Sequence, residues 1–94
     1  MKSFKMKQME KVRSTVLKNI TEIEKKRRRS EFAIVESLYK NQEINSEDVR
    51  YFNSYTAEIT TLREELQQLE QSISELQAQE KKKKFLKKES NQSA

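Results

Sequence analysis

The sequence predicts an all-α fold: an antiparallel two-helix coiled-coil hairpin. Three observations predict it. Phe52, Tyr55, Ile59, Leu62, Leu66, Leu69, Ile73 and Leu76 step by alternating threes and fours. The chain contains no glycine and no proline, so nothing in it breaks a helix by residue type. Between the two halves, at "YKNQEINSEDVRYF", helix stop and start signals stand side by side.

The second half carries the plainest pattern. Phe52, Ile59, Leu66 and Ile73 take position a of a heptad, and Tyr55, Leu62, Leu69 and Leu76 take d. A 3.5-residue repeat holds one apolar stripe against a partner helix. Glu80 and Lys83 occupy the next seam positions, so the seam ends near Leu76 and "KKKKFLKKESNQSA" is expected to fray into a solvated basic tail. In the first half the same lettering puts Met6, Ile20 and Ile34 at a, and Met9, Val16 and Ile23 at d. Arg13, Arg27, Ser30 and Ser37 also fall in the seam, so this stripe is patchy. Val12, Leu17 and Leu38 sit on its shoulders.

For the turn, Asn41 can end the first helix and Asn45 can cap the second, with Ser46 as an alternative cap. Glu47 and Asp48 in the first turn oppose the helix dipole. Ile44 and Val49 have the spacing of a hydrophobic staple. The expected boundaries are a helix over about 3–41, a turn over about 42–45 and a helix over about 46–88, forming one domain. A short turn makes the helices antiparallel neighbours, and facing residue numbers then sum to about 87.

Composition limits function. Charged residues make up 37% of the 94 residues and apolar ones 33%, too few for two packed layers. No histidine or cysteine is present, which removes the commonest general base, thiol catalysis and the usual transition-metal ligands. No glycine-rich phosphate loop is available either. The expectation is a non-enzymatic cytoplasmic protein with no catalytic, metal or cofactor residues and no small-molecule substrate. No apolar run reaches the roughly 20 residues of a membrane span, and "MKSFKMKQME" lacks the apolar core of a secretory signal.

Three groups of residues could act. The first is the run "EKKRRRSEF" at 24–32. In the hairpin register Glu24 faces Arg63 and Lys26 faces Glu58, both pairs of opposite sign. Arg27 lies in the seam, its stem packed and its head reaching toward Glu58. The run then sets register. Five consecutive helical residues spread over more than a turn, which disfavours a one-sided nucleic-acid patch. The second group is the open end of the hairpin: Lys2, Lys5, Lys7, Lys11 and Arg13 beside Lys81, Lys82, Lys83, Lys84, Lys87 and Lys88. Residues 14–80 carry nine basic and thirteen acidic groups, so the net charge of +5 comes from that end. It is either a solubilising tail or a docking surface for an acidic partner. The third group is Phe32, Val35 and Tyr39, with Tyr51 on a shoulder of the second helix. Either the first helix changes phase after Ser30 and buries some of them, or they form an exposed partner-binding patch.

The stretch "INSEDVRYFNSYTAEITTLREELQQLEQSISELQAQEKKKKFL", following a short polar turn, resembles the second helix of the FliJ and YscO-type proteins of flagellar and virulence type III secretion. The aromatic-rich start, here Tyr51, Tyr55, Ile59 and Leu62, carries the likeness, which covers roughly residues 30–86. The resemblance implies an antiparallel hairpin acting as a central stalk, similar to the rotor subunit of rotary ATPases. Its basic open end would enter a hexameric export ATPase, and Phe32, Val35 and Tyr39 would meet an export gate or a secretion chaperone. Two other classes suit the residues. One is a small hairpin chaperone that pairs with a coiled-coil substrate, since the uneven seam of the first helix makes it a displaceable partner. The other is a dimeric four-helix bundle that binds nucleic acid.

Overall fold

The computed structural model describes the backbone of residues 3–92 and the side chains of residues 3–83. It shows two helices, α1 (Phe4–Tyr39) and α2 (Ser46–Gln92), packed side by side in a rod with principal axes of 80 × 16 × 15 Å. There is no strand among the described residues.

Each described helix end has a local cause. At the start of α1 the Ser3 hydroxyl oxygen accepts the Met6 N–H at 3.1 Å, which satisfies one of the orphan donors of the first turn. At its end Asn41 takes the left-handed conformation, with φ of 54°. The Gln42 N–H donates to the Ser37 carbonyl at 2.8 Å and the Asn41 N–H to the Leu38 carbonyl at 3.2 Å. These two bonds make a Schellman motif, with asparagine in the place glycine usually takes. Because this reversal consumes Lys40, Asn41 and Gln42, α1 stops at Tyr39, two residues before the expected 41. At the start of α2 the Asn45 side-chain oxygen accepts the Glu47 N–H at 2.9 Å, so Asn45 is the cap and Ser46 the first helical residue. Glu47 and Asp48 sit in the first turn. Ile44 is half-buried, while Val49 remains 38% exposed.

The tail differs from expectation. Instead of fraying in the basic tail that begins at Lys81, α2 runs on to Gln92, beyond the expected 88. Lysine is a good helix former. The lysine run therefore propagates the helix past the end of its apolar seam.

The core is a single seam. Met6, Ile20, Ile59 and Ile73 are its buried apolar side chains. Met9, Val16, Ile23 and Ile34 of α1, and Phe52, Tyr55, Leu62, Leu66, Leu69 and Leu76 of α2, are half-buried along the same line. Arg13, Arg27 and Ser37 are half-buried in it, and Ser30 is buried at 9% exposure. The heptad phase of α1 is thus unbroken from Met6 to Ser37; it does not shift after Ser30. The hydroxyls of Thr56, Thr60 and Thr61 on α2 donate to carbonyls four residues back, so they need no partner outside their helix.

Two measurements check this architecture. Spin labels at the exposed positions Asn19 and Gln68 should lie about 10–20 Å apart, because paired helices sit 8–10 Å from axis to axis. One continuous helix would separate them by about 70 Å. In urea unfolding, Asn45→Ala should cost about 1 kcal/mol through loss of the cap. Asn41→Ala should cost about 1–2 kcal/mol through left-handed strain, and Asn41→Gly should be nearly neutral or stabilising.

Candidate protein-interaction surfaces

The charged shaft comes first, because it fixes the faces of the rod. Glu24 and Arg63 form an ion pair at 2.8 Å, Glu24 Oε1 accepting from Arg63 Nη2. Both occupy heptad position e, so this pair marks one flank of the hairpin, where facing numbers sum to 87. The arginine is 61% exposed, and the contribution to stability is under about 1 kcal/mol. Its value is to report register.

The other expected charge contacts fall differently. Arg27 does not reach Glu58. Its guanidinium carbon lies 5.9 Å from the centroid of the Phe52 ring, a cation–π contact within the seam. A half-buried guanidinium gains more from an aromatic face at the same depth than from a carboxylate on the exposed flank. Lys26 and Glu58 are both exposed and form no ion pair with each other. The members of "EKKRRRSEF" that engage α2 are Glu24, Arg27 and the buried Ser30, while Lys26 forms no ion pair across the seam. Lys25, Arg28 and Arg29 are exposed around the outside of α1.

At the open end Lys5, Lys7, Lys11, Lys81, Lys82 and Lys83 are all exposed, while Arg13 is half-buried in the seam. The hairpin register places Lys81, Lys82 and Lys83 beside the first turn of α1, so the cations surround both helices rather than line one face. The ion pairs Glu24–Arg63 and Glu36–Lys40 lie away from this end. Lys2 and the side chains of Lys84, Lys87 and Lys88 lie outside the described residues.

At the turn end Phe32, Val35 and Tyr39 are 69%, 55% and 88% exposed. Because α1 keeps its phase, their positions f, b and f point away from the seam. Leu38, at position e and 58% exposed, extends the same stripe toward α2. Leu38 and Val49 repeat the Glu24–Arg63 relation two heptads nearer the turn, so Val49 continues the stripe across the helix boundary. Sequence reading treated Leu38 only as a shoulder and missed Val49 as a member. The register that joins them is the signal that could have found both.

Tyr51 is also exposed, at 45%, but stands apart from this stripe. It sits at position g, on the opposite flank. Its ring stacks on Tyr55 at 6.2 Å between centroids, and Arg50 lies 5.7 Å from the ring centroid.

Apart from Val49 and Tyr51, every large hydrophobic side chain exposed among the described residues belongs to α1. The outer face of α2 presents Asn53, Ser54, Thr60, Thr61, Glu64, Gln67, Gln68 and Gln71. Among the described residues no helix is long and apolar enough to cross a membrane, and no acidic cluster could hold a metal ion. No protein-family model, curated protein or solved structure matches the chain.

Double-mutant cycles read by denaturant midpoint separate the two charge contacts. Glu24→Arg should destabilise the hairpin, and Arg63→Glu added to it should recover part of the loss, with a coupling under about 1 kcal/mol. Arg27→Glu should also destabilise, but Glu58→Arg should leave that loss unchanged. Measurable coupling between positions 27 and 58 would contradict the Arg27–Phe52 contact.

Proposed function

We propose that this hairpin is a non-enzymatic cytoplasmic rod that bridges two protein partners. In this reading it is the central stalk of a type III secretion system, linking a hexameric export ATPase to an export gate or a secretion chaperone. The observation that carries the reading is the separation of two different surfaces at opposite ends of one thin rod. A cationic collar stands at the open end, and an apolar stripe of Phe32, Val35, Leu38 and Tyr39 stands at the turn end. The shaft between them carries both signs of charge, with carboxylates in excess.

Each feature has a use in such a part. A cross-section of 16 × 15 Å is that of two packed helices alone, narrow enough to enter the hole of a ring. Lysines distributed around both helices meet an acidic ring from every side, whereas a one-sided patch would engage one subunit. A heptad seam kept in one phase along both helices makes the shaft resist bending, so displacement at one end is carried to the other. The resemblance of residues 30–86 to the FliJ and YscO-type stalks supplies the identity of the partners.

The chaperone reading draws on a different observation. Arg13, Arg27, Ser30 and Ser37 interrupt the α1 seam, while α2 keeps an unbroken apolar one from Phe52 to Leu76. A coiled-coil substrate with a fully apolar seam could displace α1. Such a protein would lose its α1–α2 contacts on binding, and a stalk would keep them. The Asn19–Gln68 label distance, measured with and without partner, distinguishes the two.

Titration against the export ATPase and against a labelled DNA duplex in one buffer tests the stalk reading. Replacing Lys81, Lys82, Lys83 and Lys84 with Gln should leave helicity nearly unchanged. It should weaken ATPase binding by about tenfold or more at low salt and flatten its salt dependence. Replacing Phe32 and Tyr39 with Ser should leave that salt slope intact. Duplex affinity equal to or above ATPase affinity at physiological salt would overturn the stalk reading in favour of nucleic-acid binding.

A further inference from the structure

We propose that the apolar stripe at the turn end is covered by a second copy of this chain, in an antiparallel two-fold contact centred near Val35. The stripe is flanked by charge of opposite sign on its two sides. Before it the cations Lys25, Arg28 and Arg29 outnumber Glu31; after it the carboxylates Glu43, Glu47 and Asp48 outnumber Lys40 and Arg50. An anionic membrane or an acidic peptide would match the first group and oppose the second. A second copy turned end over end matches both at once, because a two-fold axis lays the basic side of each copy over the acidic side of the other.

The spacing supports that placement. Arg28 lies one heptad before Val35 and shares its position b, so both point from the same face of α1. With the axis beside Val35, facing numbers in the two copies sum to about 71. Phe32 then meets Tyr39 of the second copy, which pairs two aromatic rings, and Arg28 comes to lie over the second copy's turn, which carries the exposed Glu43. Neither Arg28 nor Glu43 forms an ion pair or side-chain hydrogen bond within the hairpin, and both are exposed. The contact therefore accounts for a cation of the "KKRRR" run that the hairpin itself leaves unused.

The area sets the strength. Two well-exposed aromatics with Val35, Leu38 and Val49 offer on the order of 500 Å² per copy, the lower end of specific interfaces. The dimer is accordingly reversible and concentration-dependent. Its rods overlap only at their turn ends and leave both basic ends free and far apart. This inference does not rest on the stalk reading. It adds that self-association and any partner of the turn end compete for one surface.

A charge-swap mixture tests it by sedimentation over roughly 1 µM to 1 mM. Wild type should pass from monomer to dimer across that range. Arg28→Glu and Glu43→Arg, each alone, place like charges in both halves of the contact and should weaken dimerisation about tenfold or more. An equimolar mixture of the two variants restores opposite charges at both contacts, so it should dimerise within about threefold of wild type. Phe32→Ser with Tyr39→Ser should abolish the dimer while circular dichroism shows the helices intact. A wild type that stays monomeric at the top concentration would overturn the proposal. So would a mixture no better than either variant alone, or a monomer that binds vesicles of anionic lipid through the same stripe.

Discussion

The whole structure depends on one line of side chains. A two-helix hairpin has a single interface, and here that interface is a heptad seam whose buried apolar members are Met6, Ile20, Ile59 and Ile73. Neither helix has an independent core to fall back on, and most helical stability in proteins comes from packing an amphipathic face rather than from propensity. Every other feature is arranged around this constraint. The caps at Ser3 and Asn45 satisfy the first N–H groups so that the ends of the seam do not fray. The reversal at Asn41 returns the chain at a phase that lets Phe52 enter the seam at position a.

Polar residues in the seam give the pairing its direction and register. Apolar contacts are indifferent to a slip of one heptad; Arg27 and Ser30 are not. Arg27 finds an aromatic face at Phe52, and Ser30 is small enough to be buried between the positions that register assigns to Phe52 and Ile59. A slip by seven residues would move the guanidinium away from the ring and break the Glu24–Arg63 pair on the flank. Such residues lower stability relative to leucine or isoleucine and raise the specificity of pairing. The cost falls on α1, which is why its stripe looks irregular when read alone.

The same geometry separates the functional surfaces. A rod has two ends and a shaft, and the three carry different chemistry. Lysines gather where both chain ends lie, although their mutual repulsion disfavours that arrangement. Phe32, Val35, Leu38 and Tyr39 stand exposed on α1 near the turn, where the seam has no use for them, while Phe4, Val12 and Leu17 are exposed along the rest of α1. Both features run against the stability of an isolated hairpin. That is the physical ground for treating them as surfaces that meet something else, and the polar outer face of α2 is the internal contrast.

The sequence by itself determined the class of fold, both helices and the turn. Four heptads from Phe52 to Leu76, the absence of glycine and proline, and the asparagines at 41 and 45 are local signals that act through periodicity and capping. The Glu24–Arg63 pairing was also legible, because a short turn and a heptad phase together dictate which residues face each other. What only the tertiary structure decided was where ambiguous side chains go. Whether α1 keeps its phase past Ser30 depends on what α2 offers opposite, and no pattern within α1 contains that information. The partner of Arg27 depends on comparing a ring in the seam with a carboxylate at the rim, which is a matter of depth. Tyr51 and Leu38 look equivalent along the chain, yet pairing puts them on opposite flanks, and only the second helix makes one of them part of a continuous stripe. Local propensity and period act within one helix; exposure and neighbourhood belong to the pair.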